Sequence, residues 1–558
     1  MPALGSFLQQ GLAALAMGAA TAQAQLWDKP IDTTYGPVKG FQYFDEATLQ
    51  TYFNKSESNV AAFLGIPYAA DTSYDNRWKA PQPRQRWNET FDASSFGHTC
   101  PTAMSSNFSE DCLNLNIWTN AATPHARLPV MVWNQGSDLS SNIAAWYGGG
   151  MALKDVILVS FNRRDDAFGY LAHPELNEEG FHATGHHTSG NYGVLDFLEV
   201  LKWVQANIAN FGGNPDRVVI AGQSFGSSQV YHAVNSPLFS GLFHGAISQS
   251  GIRYPHDPML AGLATSYNNM SAALAHGLNY TTFHNVSSIA QLRTLSTEQL
   301  MQGSTDKVNT TWIDPITALS AGFPDIFKPV LDNYVLPSTY MQTLRHGPAN
   351  DVPLITGNTR DESGASTTTN YTVPEYRKYN TLRYGALASN YFTLYPDANN
   401  ASVANEAWND AARDQGKVGS WAYATEWYES AKSNFYTYFW THAPPGQTEG
   451  AFHMSEIMYA LNALYACAEM YPFTAEDYAI AEKMSAYWAN FAKTLDPNVG
   501  GSYAASGEKG KLPQWKPNSR SGKPVVVMEL GDGFGEIPVA SEEKVQFVME
   551  YFDSQKAY

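Results

Sequence analysis

A chain of 558 residues with 44% hydrophobic and 15% charged side chains has the material for a large core and is not a disordered polymer. Its net charge of −18 sets it against nucleic-acid backbones and anionic lipid surfaces, so neither is expected as a partner. Length alone suggests two to four domains, but a single α/β domain also reaches this size.

The first element reads as an export leader. Residues 12–20 are apolar and small, and Ala22-Gln23-Ala24 fits an A-x-A cleavage site, which predicts a signal peptide over 1–24 and a mature chain of 25–558. No Lys or Arg precedes the apolar run, so a buried N-terminal helix is the competing reading. The run is too short to cross a bilayer, and no lipid-anchor signal follows elsewhere, so no stable membrane anchor is expected. Nine N-x-S/T acceptors, at Asn54, Asn88, Asn107, Asn269, Asn279, Asn285, Asn309, Asn370 and Asn400, suit a secreted glycoprotein, although an Asn-rich chain produces some by chance. Cys100 and Cys112 lie close together, and an oxidising compartment would let them pair. Cys467 is left over, in a helical pattern across 460–467, where a buried inert thiol is expected.

Short apolar runs then alternate with amphipathic stretches. Val130-Met131-Val132-Trp133 and 156–161 read as buried strands. Residues 193–210 place Val194, Phe197, Leu198, Leu201, Val204 and Ile208 on one helical face. Asn214-Pro215 predicts a turn, and Val218-Val219-Ile220-Ala221 a third strand. Strand, helix and strand in this order imply a parallel sheet with crossover helices. Residues 258–311 are polar and weakly patterned, which suits helical cap and loop. Further strands are predicted at Leu354-Ile355-Thr356 and Val525-Val526-Val527-Met528, in one large domain without repeats.

Gly222-Gln223-Ser224-Phe225-Gly226 follows the third strand directly, the G-x-S-x-G pattern in its strand-to-helix context. Such a turn strains the serine backbone, projects Oγ above the sheet edge and points a helix N-terminus at developing negative charge. A nucleophilic serine needs a base and an acid behind it, in the order Ser, acid, His. The 14 histidines leave the base open by number. Local context favours His453, on the loop Gly450-Ala451-Phe452-His453, with Asp361-Glu362 beyond a strand end as the acid segment. Taken singly, each of these is as well read as a solvated loop residue. His182, His186 and His187 sit in a Gly/Thr/Ser loop without Cys or acidic ligands in clear spacing, so no metal site is expected, and the chemistry needs no cofactor.

The sequence resembles the type-B carboxylesterase/lipase family, which includes cholinesterases and fungal lipases. The likeness rests on several motifs in order: Phe63-Leu64-Gly65-Ile66-Pro67-Tyr68-Ala69, then Ser109-Glu110-Asp111-Cys112-Leu113-Asn114-Leu115-Asn116-Ile117-Trp118, then Phe211-Gly212-Gly213-Asn214-Pro215 through Gly226, then Ser248-Gln249-Ser250-Gly251, Asp361-Glu362, Gly450-Ala451-Phe452-His453 and Trp488-Ala489-Asn490-Phe491. The resemblance implies an α/β-hydrolase fold, with a large, mostly parallel central sheet flanked by helices and helical cap insertions. It also implies Cys112 as a disulfide cysteine and a triad of Ser224, Glu362 and His453. Glu110, Arg163 and Asp196 match salt-bridge positions and are read as structural. The style resembles fungal members, some of which serve secondary metabolism.

Departures from the family pattern narrow the reading. The oxyanion segment, roughly Trp-Ile-His-Gly-Gly-Gly-Phe in the family, is Trp133-Asn134-Gln135-Gly136-Ser137-Asp138-Leu139 here. This places the oxyanion donors on the backbones of Ser137, Asp138 and Phe225. An ionised Asp138 about 4 Å from an oxyanion would cost on the order of 4 kcal/mol at an effective dielectric near 20, so its carboxylate is expected to point away. Ser363 replaces the glycine after the family's acid, and Gln223 replaces the acidic residue usual before the nucleophile. No Trp lies between Pro101 and Asp111, which removes the choline-stacking site of cholinesterases.

The expected function is a secreted serine carboxylesterase working on a small-molecule ester or lactone through an acyl-enzyme. The alternatives are a lactone-opening or transesterifying enzyme of fungal secondary metabolism and a non-catalytic binding protein on the same fold. Oligomeric state is not legible.

Overall fold

The computed structural model describes residues 25–105, 107–261, 266–307, 325–503 and 511–558. The expected signal peptide and the acceptor Asn309 lie outside these residues. The centre is an eleven-stranded sheet. In chain order its strands are β1 (Phe41–Gln42), β2 (Ala61–Pro67), β3 (Asn114–Thr119), β4 (Leu128–Asn134), β5 (Ile157–Phe161), β6 (Gly213–Gln223), β7 (Gly245–Gln249), β8 (Leu354–Thr359), β9 (Phe435–Trp440), β10 (Val526–Leu530) and β11 (Phe534–Pro538). Their spatial order is β11-β10-β9-β8-β7-β6-β4-β5-β3-β2-β1. Neighbours from β5 through β10 pair in parallel, and the outer strands pair antiparallel.

The strands at the centre are apolar on both faces because helices cover both. Val130 and Val132 of β4, with Val218 and Ile220 of β6, enter one core layer. Met131 and Trp133, with Val219 and Ala221, enter the layer on the opposite face. The period-2 alternation of Cβ directions thus divides one hydrophobic run between two cores. Helix α1 (Tyr192–Asn207) buries Val194, Phe197, Leu198, Leu201 and Val204, the face expected from its spacing. Helix α2 (Phe225–Asn235) leaves the sheet from the nucleophile turn and is buried along its whole length. The cap segment contributes α3 (Met270–Phe283).

Three local expectations change. Asn214-Pro215 is not a free turn but lies inside β6, whose first residue, Gly213, pairs with Leu128 across a bulge. The helical pattern before Cys467 is broken: Asn462 takes φ 55°, leaving a short helix Ile457–Ala460 and a 3-10 turn Leu464–Ala466. Cys467 is nonetheless buried and free, as expected. Helix α4 (Ala401–Ser430) has no counterpart in the sequence reading. Its buried face is made of Ala404, Ala407, Ala411, Gly416, Gly419 and Ala422 with two tryptophans, and small residues give little hydrophobic contrast from one face to the other. Cys100 and Cys112 form a disulfide.

Candidate active site

The end of β6 carries the nucleophile candidate. Ser224 caps α2 with φ 57° and ψ −123°, outside the regions open to ordinary L-residues. Its amide donates to Gln249 O at the end of β7, 3.0 Å away. The turn is feasible only because two neighbours lack side chains. A Cβ on Gly226 would lie 1.9 Å from Asn134 O, and one on Gly222 would lie 2.5 Å from Gly226 O. The β4 loop therefore packs directly against the first turn of α2.

The acid and base arrive from beyond the ends of β8 and β9, with β7 between them and the nucleophile strand. Glu362 lies just past β8, buried. Its Oε1 accepts from the Thr359 amide at 2.9 Å and Asn358 Nδ2 at 3.1 Å, and its Oε2 meets His453 Nδ1. Burial pushes this carboxyl up, but the hydrogen bond and charge of His453, with the Thr359 amide, outweigh it and hold the group below the usual carboxylate range. Desolvation of His453 disfavours its cation, and Glu362 more than offsets it, so the imidazole titrates above an ordinary histidine. Asp361 is a brace rather than an acid for the imidazole. Its amide donates to Ala451 O at 3.0 Å, its carboxylate accepts from the Ala451 amide at 2.8 Å, and Arg360 and Arg413 clamp it. Ser363 keeps the left-handed backbone of the glycine it replaces, at φ 54°.

The structure brings Glu362 and His453 together but leaves Ser224 Oγ without a hydrogen bond to the imidazole among the described residues. Gln223 Nε2 lies against the ring, 3.1 Å from His453 Nε2 and 3.4 Å from Nδ1. Behind the histidine, Glu456 accepts from Gln249 Nε2 at 2.9 Å, and Gln249 Oε1 accepts from Trp488 Nε1 at 3.0 Å. Burial, then the charge of Glu362, pushes the Glu456 carboxyl up to about 7.

The oxyanion loop is held from below by Arg163. Its guanidinium donates to Asn134 Oδ1 at 2.6 Å, Gln135 O at 2.9 Å and Gly136 O at 3.2 Å, and lies 5.1 Å from the Phe225 ring centre. Asp138 has φ 60°. Its carboxylate faces the buried carboxyls of Asp165 and Asp166, and its amide lies beside Asp165. The amides of Ser137 and Phe225 donate to no other described group. Burial pushes Asp165 to about 7 against the pull of Arg163. Burial, then Asp138 and Asp165, pushes Asp166 well above the usual range.

The three residues read as structural are indeed in ion pairs. Glu110 pairs with Arg77 at 2.6 Å, Asp196 with Arg164 at 2.7 Å and Arg163 with Asp165 at 3.1 Å, all buried. The loop histidines do not converge: His186 stacks on Tyr334 and His187 on Phe181, with ring centres 4.6 and 4.5 Å apart. A pocket of about 740 Å³ opens beside His453 and is lined by Ser363, Ser366, Thr368, Tyr371, Trp408 and Glu449 among others. Sequence reasoning missed Gln249, Glu456, Asp165 and Asp166. Glu456 stands three residues after His453 and Gln249 in a recognised motif, but nothing in their spacing distinguishes a buried polar brace from a surface residue.

A strained serine at a strand–helix turn, beside a carboxylate–imidazole pair from the neighbouring strand ends, coincides with a family match. The family model described as "Carboxylesterase family" covers residues 28–537. The chain belongs to the carboxylesterase family. Among curated relatives, fumonisin B1 esterase of Sphingopyxis macrogoltabida is 32% identical over 80% of this chain and 81% of its own length. Para-nitrobenzyl esterase of Bacillus subtilis (strain 168) is 29% identical over 84% of this chain and 90% of its own. Among solved structures, a PNB esterase superposes with a TM-score of 0.70 at 25% identity, covering 93% of this chain and 99% of that one. The fold is that of the α/β-hydrolases, and this carboxylesterase is a serine hydrolase of carboxylic esters. No helix among the described residues is long and apolar enough to cross a membrane.

Proposed function

We propose that this carboxylesterase cleaves a small-molecule ester through Ser224, Glu362 and His453. The observation that carries the reading is the Glu362–His453 hydrogen bond, set beside a serine held at φ 57°. His453 takes the Ser224 proton as Oγ attacks the carbonyl carbon. The amides of Ser137 and Phe225, with that of Asp138 if its turn shifts toward the serine, receive the oxyanion. The imidazolium then protonates the leaving alcohol, and water repeats the cycle on the acyl-enzyme to release the acid. Ser224 Oγ must close on His453 Nε2 for this transfer, which makes the resting arrangement one step removed from the reactive one. Phe225 and the altered loop favour a narrow substrate of the kind met in secondary metabolism over broad esterase action.

We further propose a secreted glycoprotein, with 1–24 as the leader and 25–558 as one domain. The disulfide supports this, as do the acceptor asparagines, exposed at all eight described positions. Hydrolysis of an ester panel by wild type and Ser224→Ala tests the catalytic reading. A loss of at least about a thousandfold is expected, and a loss below about tenfold overturns the assignment. A phosphonate that labels wild type but not Ser224→Ala is the companion result. Secretion is tested by N-terminal sequencing of exported protein, expected to begin at Gln25, and by a glycosidase mobility shift.

A further inference from the structure

A cavity of about 610 Å³ lies between the helix Glu46–Phe53, the turn at Lys154 and helix α5 (Ala475–Thr494). It shares no lining residue with the pocket beside His453. Its wall brings together Lys55, Lys154 and Lys493, in a chain whose net charge is −18. Lys154 is nearly enclosed, at 7% side-chain exposure, with its ammonium 2.8 Å from Glu482 Oε1 and donating to Ser502 O at 3.3 Å. Burial first, then the charges of Lys493 and Lys55, lowers the proton affinity of Lys154 against the pull of Glu482, so the three ammonium groups feel one another. Among the described residues, neither Lys55 nor Lys493 forms an ion pair. The acids on the wall are Glu482, already engaged by Lys154, and Asp155, which acts on Lys493.

A second, independent feature points inward. Ser502 is 8% exposed and lines the same cavity, and its hydroxyl, shielded from solvent, has no hydrogen-bond partner. A buried hydroxyl without a partner is costly, and ammonium groups gathered on one wall repel. An oxyanion would satisfy both. The remaining wall is aromatic: Tyr52 and Tyr478 pack at 6.2 Å, and Tyr465 has its hydroxyl tied to Tyr43 at 3.0 Å, so its ring presents an apolar surface. The volume exceeds that of a bare oxyanion and leaves room for a small organic body.

We propose that this cavity is a second ligand site, separate from the ester-cleaving one, that binds a small oxyanion-bearing molecule, a carboxylate or a phosphate, between Lys55, Lys493 and the Ser502 hydroxyl. Calorimetric titration of the intact protein with inorganic phosphate and with benzoate, at fixed ionic strength against a chloride control, tests it. Saturable binding of at least one is expected, weakened by roughly tenfold or more in K55Q/K493Q and less in S502A. Tighter benzoate binding identifies an aromatic carboxylate as the ligand type, and binding of phosphate alone identifies a phosphate. Heat no greater than the chloride control for both anions, or equal binding by wild type, K55Q/K493Q and S502A, overturns the site. Because the readout is binding, loss of this site and loss of the esterase reading are separate outcomes.

Discussion

His453 Nε2, the nitrogen that receives the Ser224 proton in the proposed mechanism, lies 3.1 Å from the side-chain amide nitrogen of Gln223. The same amide nitrogen lies 3.4 Å from Nδ1, so it rests against the ring between the two nitrogens, an uncharged neighbour that does not stabilise the cation. A carboxylate at the same place would support the cation instead.

The pH dependence follows with a definite sign. In the proposed mechanism activity requires neutral His453, whose pKa Glu362 already holds above the ordinary histidine value, so kcat/KM rises with pH through that raised pKa. In Gln223→Glu the added negative charge raises it further, and the acid limb moves to higher pH by about one unit or more. Profiles of kcat/KM for both proteins check this, and a limb that stays put or moves down contradicts it.

Asp138 puts a carboxylate in the oxyanion loop. Asn tolerates the same left-handed backbone, so Asp138→Asn removes the charge while keeping φ near 60°. We expect kcat to rise on the order of fivefold, the effect of about 1 kcal/mol of relieved repulsion on the oxyanion. Steady-state rates at saturating ester measure it, and an unchanged or lower kcat shows that the charge is not felt at the reacting carbonyl.

Gly226 is a packing requirement. In Gly226→Ala the new methyl meets Asn134 O and Gln135 O, and Arg163 holds these two residues in place through Asn134 Oδ1 and Gln135 O, so neither side yields cheaply. The expected cost is about 3 kcal/mol of stability together with a large fall in kcat as the loop leaves Ser224. Denaturant unfolding and rate measurements on the same preparation separate the two effects.

Asp196 accepts the Arg164 amide at 2.9 Å, Nε at 2.9 Å and Nη2 at 2.7 Å, with both side chains buried. Asp196→Ala leaves a buried cation unpaired and should cost about 3–5 kcal/mol, whereas Arg164→Met with Asp196→Leu should recover most of it. Equal losses in the single and double variants would show that packing, not charge, sets the cost.

What the sequence made legible follows the strength of its local signals. The runs around Val130, Ile157, Val218 and Leu354 lie on both faces of a covered sheet, so each is a dense apolar block, and each is a strand. Ser224 stood out because its motif abuts such a block. Helix α4 stayed hidden because alanine and glycine fill its buried face. The Gln223–His453 contact and the Asp138–Asp165–Asp166 corner join residues far apart in sequence or in unremarkable loops, and only the fold sets their distance. Arg163 and Arg164 are adjacent, and only their side-chain directions send one to Asp165 and the other to Asp196.

The Cys100–Cys112 bond reaches further than the loop it closes. Thr102, two residues on from Cys100, donates its hydroxyl to Asp138 O at 3.1 Å, and Ser105 donates to Cys100 O at 2.7 Å. The cross-linked loop is therefore a strut under the oxyanion segment. Protein made in a reducing bacterial cytoplasm would lose roughly 3 kcal/mol of loop restraint. The same lost bond would slacken the carbonyl that positions Asp138. The choice of production host thus bears on catalytic rate as well as yield, and a preparation with two free thiols at these positions is a different enzyme from the oxidised one.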